Sequence, residues 1–118
     1  MNQLQLFKRR NYVKNLIRVM NRNKNALKWG SGESDAHIQM KLEICKYLKK
    51  QGKEYYTEAI LVKSGLRCDI INADDQVIIE VYETETQESL DRKKKLYPLP
   101  IIFVKADQPF NEKLLLWK

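Results

Sequence analysis

The chain has 118 residues, of which 43% are hydrophobic and 31% charged, and its formal net charge is +7. These values are typical of one soluble globular domain, and no apolar run approaches the roughly 20 residues that span a bilayer. The two cysteines, Cys45 and Cys68, are too few for a disulfide framework, and the basic N-terminus lacks the apolar segment of a secretory signal. We therefore expect a cytoplasmic protein, or an intracellular one in an infected host if it is viral, without membrane contact.

Positive charge is concentrated near the N-terminus. Residues 1–32 carry eight of the 22 basic residues and none of the 15 acidic ones. Such a segment favours a polyanionic partner, most commonly a nucleic-acid backbone, because binding releases counterions. An arm that only keeps the protein soluble, or a basic helix that binds an acidic protein, is the alternative. The residues expected to contact nucleic acid, with DNA as the first choice, are Lys8, Arg9, Arg10, Lys14, Arg18 and Arg22.

The apolar residues of the first predicted helix, residues 5–25, repeat at helical spacing. Two glycines in residues 29–32 then predict a hinge, so that residues 1–32 form a basic helical arm and residues 33–118 the main domain. A second helix is expected to begin near Ser34, whose side chain can cap it, and to end before Gly52.

Three β-branched or aromatic segments, residues 55–62, 66–71 and 77–82, follow with short turns between them and predict an antiparallel meander. The third is apolar on both faces, which favours a central position in a sheet covered on both sides. A third helix over residues 86–96 connects it to a fourth strand at residues 101–104, and this crossover predicts a parallel pair. Residues 114–117 suit a last strand or helix. The predicted fold is therefore α/β, an αβββαβ core with a mixed four-stranded sheet flanked by helices, plus the basic N-terminal helix.

Two carboxylates interrupt these apolar strands: Asp69 on the second and Glu80 on the third. A carboxylate in such a setting must be paired, protonated or metal-bound, because burying an isolated charge is costly. The short turn between the strands brings the two residues side by side, and a divalent cation relieves their repulsion. Oxygen ligands of this kind suit Mg²⁺ or Mn²⁺, which can activate water against a phosphate. An ion pair with Arg67, or a strand end that meets solvent, is the alternative.

The element order, together with the stretches Arg67-Cys68-Asp69-Ile70 and Ile79-Glu80-Val81-Tyr82, resembles the PD-(D/E)xK nuclease superfamily. This superfamily includes restriction endonucleases, archaeal Holliday junction resolvases and small archaeal and viral nucleases. The resemblance covers about residues 34–106. It implies a restriction-endonuclease-like fold and a Mg²⁺-dependent endonuclease that hydrolyses phosphodiester bonds in DNA, often as a homodimer. It also implies that the carboxylates of these two stretches bind the metal.

The superfamily's lysine should stand two residues after Glu80, where this chain has Tyr82. Some members place that lysine on the following helix, which implies Lys93 as the catalytic lysine and Lys94 as the second choice. Lys94 is also expected to contact nucleic acid. A nucleic-acid-binding protein of the same fold that has lost catalysis is the alternative that Tyr82 keeps open.

Several further residues are candidates by position. Glu58 is a further metal ligand or a support for one, unless it is an edge residue facing solvent. His37 is the single histidine; the superfamily's first helix often contributes an active-site side chain, which implies a catalytic role, with a core or capping role as the alternative. Lys41, one turn later, is a candidate phosphate contact. The aromatic residues that could stack on bases, or simply pack, are Trp29, Tyr55 and Tyr56.

Overall fold

The structure, a computed structural model, describes residues 1–18 and 24–116. Its helices and strands are α1 (Gln3–Lys14), α2 (Asp35–Lys50), β1 (Tyr55–Ile60), β2 (Arg67–Asn72), β3 (Val77–Tyr82), α3 (Gln87–Leu96), β4 (Ile101–Lys105) and a short 3₁₀ helix (Glu112–Leu115). In these ranges no helix has both the length and the apolar composition that a bilayer span requires.

The strands form one mixed sheet in the order β1-β2-β3-β4. The first three pair antiparallel, and β3 pairs parallel with β4 across the α3 crossover. The predicted α/β class, the meander and the parallel last pair are therefore confirmed. That this sheet is specifically the restriction-endonuclease-like core stays a prediction.

The sheet separates two hydrophobic clusters. One contains Met40 and Ile44 of α2 together with Ile79 of β3, and the other contains Val13 of α1 together with Ile78 of β3. Because consecutive residues of a strand point to opposite faces, β3 supplies both clusters, as expected for a strand covered on both sides. Each of these side chains contributes roughly 1.5–3 kcal/mol when fully buried. The clusters hold β2 and β3 between helices, where the candidate site lies.

The first helix is shorter than predicted, because it ends at Lys14 rather than near residue 25. Ile17 instead forms a β-bridge with Leu61, and the Arg18 N–H donates to the Ile60 carbonyl at 2.9 Å. The edge strand β1 leaves backbone groups without sheet partners, and pairing with them satisfies more groups than another helical turn would.

The N-terminal segment therefore packs along the sheet. Lys24 forms a second bridge with Tyr56, and Val13 and Ile17 are buried in one of the two clusters. The predicted hinge contains a turn in which the Glu33 N–H donates to the Gly30 carbonyl. The division of the chain at residue 32 stays a prediction. Residues 19–23, with the predicted contact Arg22, and residues 117–118 lie outside the described parts of the chain.

Candidate active site

The site lies where β2 and β3 stop exchanging backbone hydrogen bonds. Their ladder runs from Asn72 paired with Val77 to Ile70 paired with Ile79. Beyond it, the Asp69 N–H donates to Glu80 Oε2 at 2.6 Å.

The reverse contact completes this exchange. The Val81 N–H donates to Asp69 Oδ2 at 2.8 Å. The carboxylate of each predicted pair member thus accepts a hydrogen bond from the backbone of the opposite strand. The two acids are cross-strand neighbours, as the sequence predicted, and part of their charge is satisfied by these N–H groups.

Asp69 faces His37 of α2. The imidazole Nε2 lies 3.3 Å from Asp69 Oδ2 and 3.0 Å from the Val81 carbonyl oxygen, and Nδ1 lies 2.5 Å from Glu33 Oε1. Ser34 caps α2 by accepting the His37 N–H, which fixes the backbone that carries the ring. The sequence reasoning missed Glu33, which precedes the N-cap of α2, although its spacing of four residues from His37, and of His37 from Lys41, is the signal that could have found it.

The charges around Asp69 favour an ionised pair. Burial raises the pKa of Asp69, but the hydrogen bonds from His37 and from the Val81 N–H outweigh it, so the net pKa is lowered. The same hydrogen bond to Asp69 raises the pKa of His37 to about 9 against the opposing effect of burial. At neutral pH the imidazole is therefore a cation between the carboxylates of Asp69 and Glu33.

Glu80 has different partners. Its Oε1 lies 3.0 Å from the hydroxyl of Tyr97 and 3.5 Å from Nζ of Lys93, and the side chain is only 3% exposed. Burial, reinforced by repulsion from Asp69, raises the pKa of Glu80 to about 7. Burial lowers the pKa of Lys93, but Glu85 at 3.0 Å and Glu80 more than compensate, so that the net pKa is raised and the amine stays an ammonium.

Tyr82, at the position of the superfamily's lysine, and Lys94, the second choice for that lysine, both contact Phe103 of β4. The ring of Tyr82 meets the ring of Phe103 edge to face, with centroids 6.5 Å apart. Nζ of Lys94 lies 5.8 Å from the centroid of the same Phe103 ring. Of the two lysines considered, it is Lys93 that the fold brings to Glu80.

Glu58 points toward α2 rather than continuing the pattern of Tyr56. Its φ of +52° lies in the left-handed region, which costs a non-glycine residue on the order of 1 kcal/mol. Beyond this point the strand's phase shifts, so that Ala59 joins the cluster of Tyr56. Glu58 Oε1 accepts from Nζ of Lys41 at 3.0 Å. The predicted metal ligand is therefore the partner of a buried lysine.

Lys41 is fully buried, and its ammonium is saturated. Its Nζ donates to the Lys28 carbonyl at 2.7 Å, to Glu33 Oε1 at 3.2 Å and to Glu58 Oε1 at 3.0 Å. An ammonium has three donors, and all three are used. The predicted phosphate contact by Lys41 does not fit this arrangement, because burial and pairing leave nothing for a phosphate to reach.

Several cations of the basic segment also pair internally. Arg10 donates to both carboxylate oxygens of the buried Asp74, at 2.6 and 3.0 Å, and Arg9 donates to the Asp74 carbonyl at 2.7 Å. Nζ of Lys14 lies 3.8 Å and Nζ of Lys24 3.5 Å from the buried carboxylate of Glu54. Among the predicted nucleic-acid contacts in α1 and the segment after it, Lys8 and Arg18 are exposed.

Three side chains of the site could act as ligands of a metal ion. Glu33, His37 and Asp69 each offer one ligand atom, and these atoms lie within 4.8 Å of one another. One imidazole with two carboxylates suits Mn²⁺ better than Mg²⁺, which prefers oxygen ligands alone. Glu80 is the cross-strand neighbour of Asp69, and its pKa is raised first by burial and second by repulsion from Asp69, which a cation would relieve. These three residues could therefore supply ligands to a divalent cation.

Comparisons of the chain with protein-family models, with curated proteins and with solved structures found no match. The sequence and the geometry of the site alone therefore carry the functional argument.

Proposed function

We propose that the protein is a metal-dependent nuclease that hydrolyses phosphodiester bonds in DNA, with the two strand carboxylates Asp69 and Glu80 at its centre. The observation that carries this proposal is their position at the point where β2 and β3 separate, with the ammonium of Lys93 3.5 Å from Glu80. Two neighbouring acids can hold a cation that assists hydrolysis of a phosphodiester, and a lysine beside them can stabilise the charge that develops.

Asp69 and Glu80 would hold the cation, with His37 and Glu33 as further ligands on the α2 side. The bound ion would polarise the phosphate and lower the pKa of a water molecule. The imidazole and carboxylate set favours Mn²⁺, with Mg²⁺ as the alternative ion. As a ligand, the imidazole would bind in its neutral form, so cation binding would release the proton that His37 carries in the ion-free protein.

Lys93 supplies charge stabilisation rather than proton abstraction. Its pKa is raised by Glu85 and Glu80, so it is an ammonium at neutral pH and cannot act as a base. When water attacks phosphorus, a new P–O bond forms and the water loses a proton to solvent, the bond to the departing sugar oxygen breaks and that oxygen takes up a proton from solvent, and negative charge grows on the phosphate oxygens in between. An ammonium beside Glu80 is placed to stabilise that charge.

A cleavage assay tests the proposal. Labelled single-stranded, duplex and branched DNA, with RNA in parallel, is incubated with the protein in Mn²⁺, Mg²⁺ or EDTA. We expect cleavage in Mn²⁺, a lower rate in Mg²⁺ and none in EDTA. Asp69→Asn and Glu80→Gln should each lower the rate by about 10³-fold or more, since each removes a charge that holds the cation.

Matched controls separate chemistry from folding. Asp75→Asn changes an exposed acid in the β2–β3 turn and should leave the rate unchanged. Lys93→Ala should lower the rate by about 10²-fold, whereas Lys95→Ala, two residues along α3 and exposed, should not. Cleavage that survives both Asp69→Asn and Glu80→Gln would point to a contaminant or to another site.

The second candidate is a nucleic-acid-binding protein of the same fold without catalysis. The arrangement of His37 favours it, because an imidazolium between Asp69 and Glu33 neutralises these acids without any metal. The aromatic residue Tyr82 at the lysine position agrees with it as well. Salt-sensitive binding of DNA without cleavage in either metal supports this candidate and rejects the first.

A homodimer belongs to the same proposal, since two copies would cut two strands. Sedimentation or light scattering of the protein with and without DNA measures this directly. A monomer in both conditions would limit the activity to one strand per encounter.

A further inference from the structure

The loop before α2 exposes a tryptophan beside the candidate site. The side chain of Trp29 is 55% exposed, although indole is among the largest apolar groups a protein can bury. Single exposed apolar residues are common on protein surfaces, so exposure alone carries no argument. What distinguishes Trp29 is how its neighbours are fixed.

The residue before Trp29 is held by two hydrogen bonds. The Lys28 N–H donates to the hydroxyl of Thr57 at 2.8 Å, and the Lys28 carbonyl accepts from Nζ of the buried Lys41 at 2.7 Å. The residue after it is held by two more. The Gly30 N–H donates to Glu33 Oε2 at 2.5 Å, and the Gly30 carbonyl accepts from the Glu33 N–H at 3.2 Å. The groups that hold the backbone on either side of Trp29 therefore include Glu33, which also contacts His37, and the buried Lys41.

An exposed cation lies at the other end of the same network. The side chain of Arg67 is 60% exposed, and its Nε lies 3.7 Å from Glu58, which in turn accepts from Lys41. The Arg67 backbone is fixed as well, because its carbonyl lies 3.2 Å from the hydroxyl of Tyr97. Arg67 and the backbone just before Trp29 are thus joined through Glu58 and Lys41, and Arg67 is on the same strand as Asp69.

We propose that Trp29 and Arg67 bind a single-stranded segment of the nucleic acid, with an unpaired base stacked on the indole and a neighbouring phosphate on the guanidinium. An indole face can stack on any of the bases, but the face of that base must be free. Bases within a duplex are already stacked on each other and do not offer one. This inference deepens the proposed function by naming its substrate class, and it rests on that function only for the cleavage that would follow binding. The expected substrates are single strands and junctions, flaps or ends that contain unpaired bases.

The direct test is fluorescence of Trp29. The chain has two tryptophans, so a Trp117→Phe variant leaves Trp29 as the sole tryptophan, which can be excited selectively over the tyrosines. The variant is titrated with a short oligothymidylate at low salt in EDTA, where no cleavage can occur. We expect saturable quenching with the single strand and much weaker quenching with a blunt duplex of the same length.

Substitutions separate base stacking on Trp29 from electrostatic attraction of the phosphate backbone. By anisotropy of a labelled oligonucleotide, Trp29→Ala should weaken single-strand binding about tenfold, whereas Trp29→Phe should retain most of the affinity. Arg67→Gln should lower the slope of log affinity against log salt by about 1. Tyr12→Ala, an exposed aromatic on α1, and Lys50→Gln, at the opposite end of α2 from His37, are the matched controls and should change little.

The outcomes distinguish this inference from the proposed function. Quenching by single strands without cleavage in Mn²⁺ rejects the nuclease and retains the binding site. Cleavage without quenching, or equal quenching by duplex and single strand, overturns the binding site and retains the nuclease. If Trp29→Phe loses as much affinity as Trp29→Ala while both fold, stacking is also rejected.

Discussion

Two sets of acids in this protein, all buried except the partly buried Asp69, meet positive charge in different ways. Asp74 and Glu54 are paired with arginine and lysine side chains from the N-terminal segment, which hold α1 and the chain after it against the sheet. Asp69 and Glu80 are paired with one imidazolium and one ammonium, and they also repel each other.

The first set is a docking contact and the second is a candidate site. A buried carboxylate is therefore no sign of function in itself. What singles out the second set is that its two cations are shared with Glu33 and Glu85 and that its acids repel each other, at a place where two strands separate.

The largest expected effect concerns the buried lysine that supports the candidate site. Lys41→Met leaves Glu33 and Glu58 without their shared cation, and we expect the free energy of unfolding to fall by about 3–5 kcal/mol. Urea denaturation measures the loss. Lys46→Met is the control on the same helix, since Lys46 is exposed and its contact with Glu43 is 3.9 Å long, so it should change stability by less than about 0.5 kcal/mol. Equal stability of the two variants would contradict a structural role for the network.

The docking contact should give the next largest effect. Asp74→Ala removes the acceptor of both Arg10 bonds, and we expect a loss of about 2–3 kcal/mol in the free energy of unfolding. Hydrogen exchange should show the loss first in α1. Asp107→Ala, an exposed acid 3.8 Å from Lys105, is the control. Cleavage per folded molecule should be unchanged, and a loss of cleavage on the scale of Asp69→Asn would remove the distinction between the two sets.

The fold was predictable because its elements carry strong local patterns. Apolar residues and short connections were enough to predict the strand Val77–Tyr82 and the helix and parallel strand that follow it. The first helix was misjudged beyond Lys14, because helical spacing in a sequence cannot show that the edge of β1 offers better backbone partners. The docking of this segment was missed for a related reason. Nothing in the sequence reveals that Arg10 meets Asp74, 64 residues away.

The site was predictable in its strand acids and not in its surroundings. Asp69 and Glu80 stand out because they interrupt apolar strands, and Lys93 was reached only through a family resemblance. Glu33 was missed because a residue next to three small ones resembles a linker. Glu58 was misjudged because a left-handed backbone turns it toward Lys41, and periodicity assumes an unbroken strand.

The next prediction uses pH to compare the two acids of the site. In the folded protein the pKa of Glu80 is raised from 4.5 to about 7, so the folded state binds this proton more tightly than the unfolded state does. The resulting stability is fully present below about pH 4.5 and is lost as the pH rises through 7. In EDTA, the free energy of unfolding should therefore fall between pH 5 and pH 8, with Glu80 responsible for a change on the order of 3 kcal/mol.

Glu80→Gln isolates this contribution. As the pH rises from 5 to 8, the wild type should lose stability relative to Glu80→Gln, because only the wild type has the Glu80 carboxyl. His37 and all other titrating groups are common to both proteins. Asp69→Asn should shift the opposite way only below about pH 5, where His37 is protonated in both proteins, since a lowered pKa stabilises the fold above the usual pKa of an aspartate and is lost as the pH falls. Denaturation curves at four pH values measure both differences. Parallel behaviour of the two variants would show that the acids are equivalent.

The smallest expected effect separates the exposed cations of the N-terminal segment from the docked ones. Lys8→Gln and Arg18→Gln each remove an exposed charge, and each should lower the slope of log affinity for duplex DNA against log salt by about 1, with little change in stability. Arg10→Gln should lower the stability and leave the slope nearly unchanged, because its guanidinium is already engaged with Asp74. If all three variants lower the slope equally, Arg10 exchanges Asp74 for phosphate on binding. The docking contact would then be part of the nucleic-acid interface, and α1 would move when the substrate arrives.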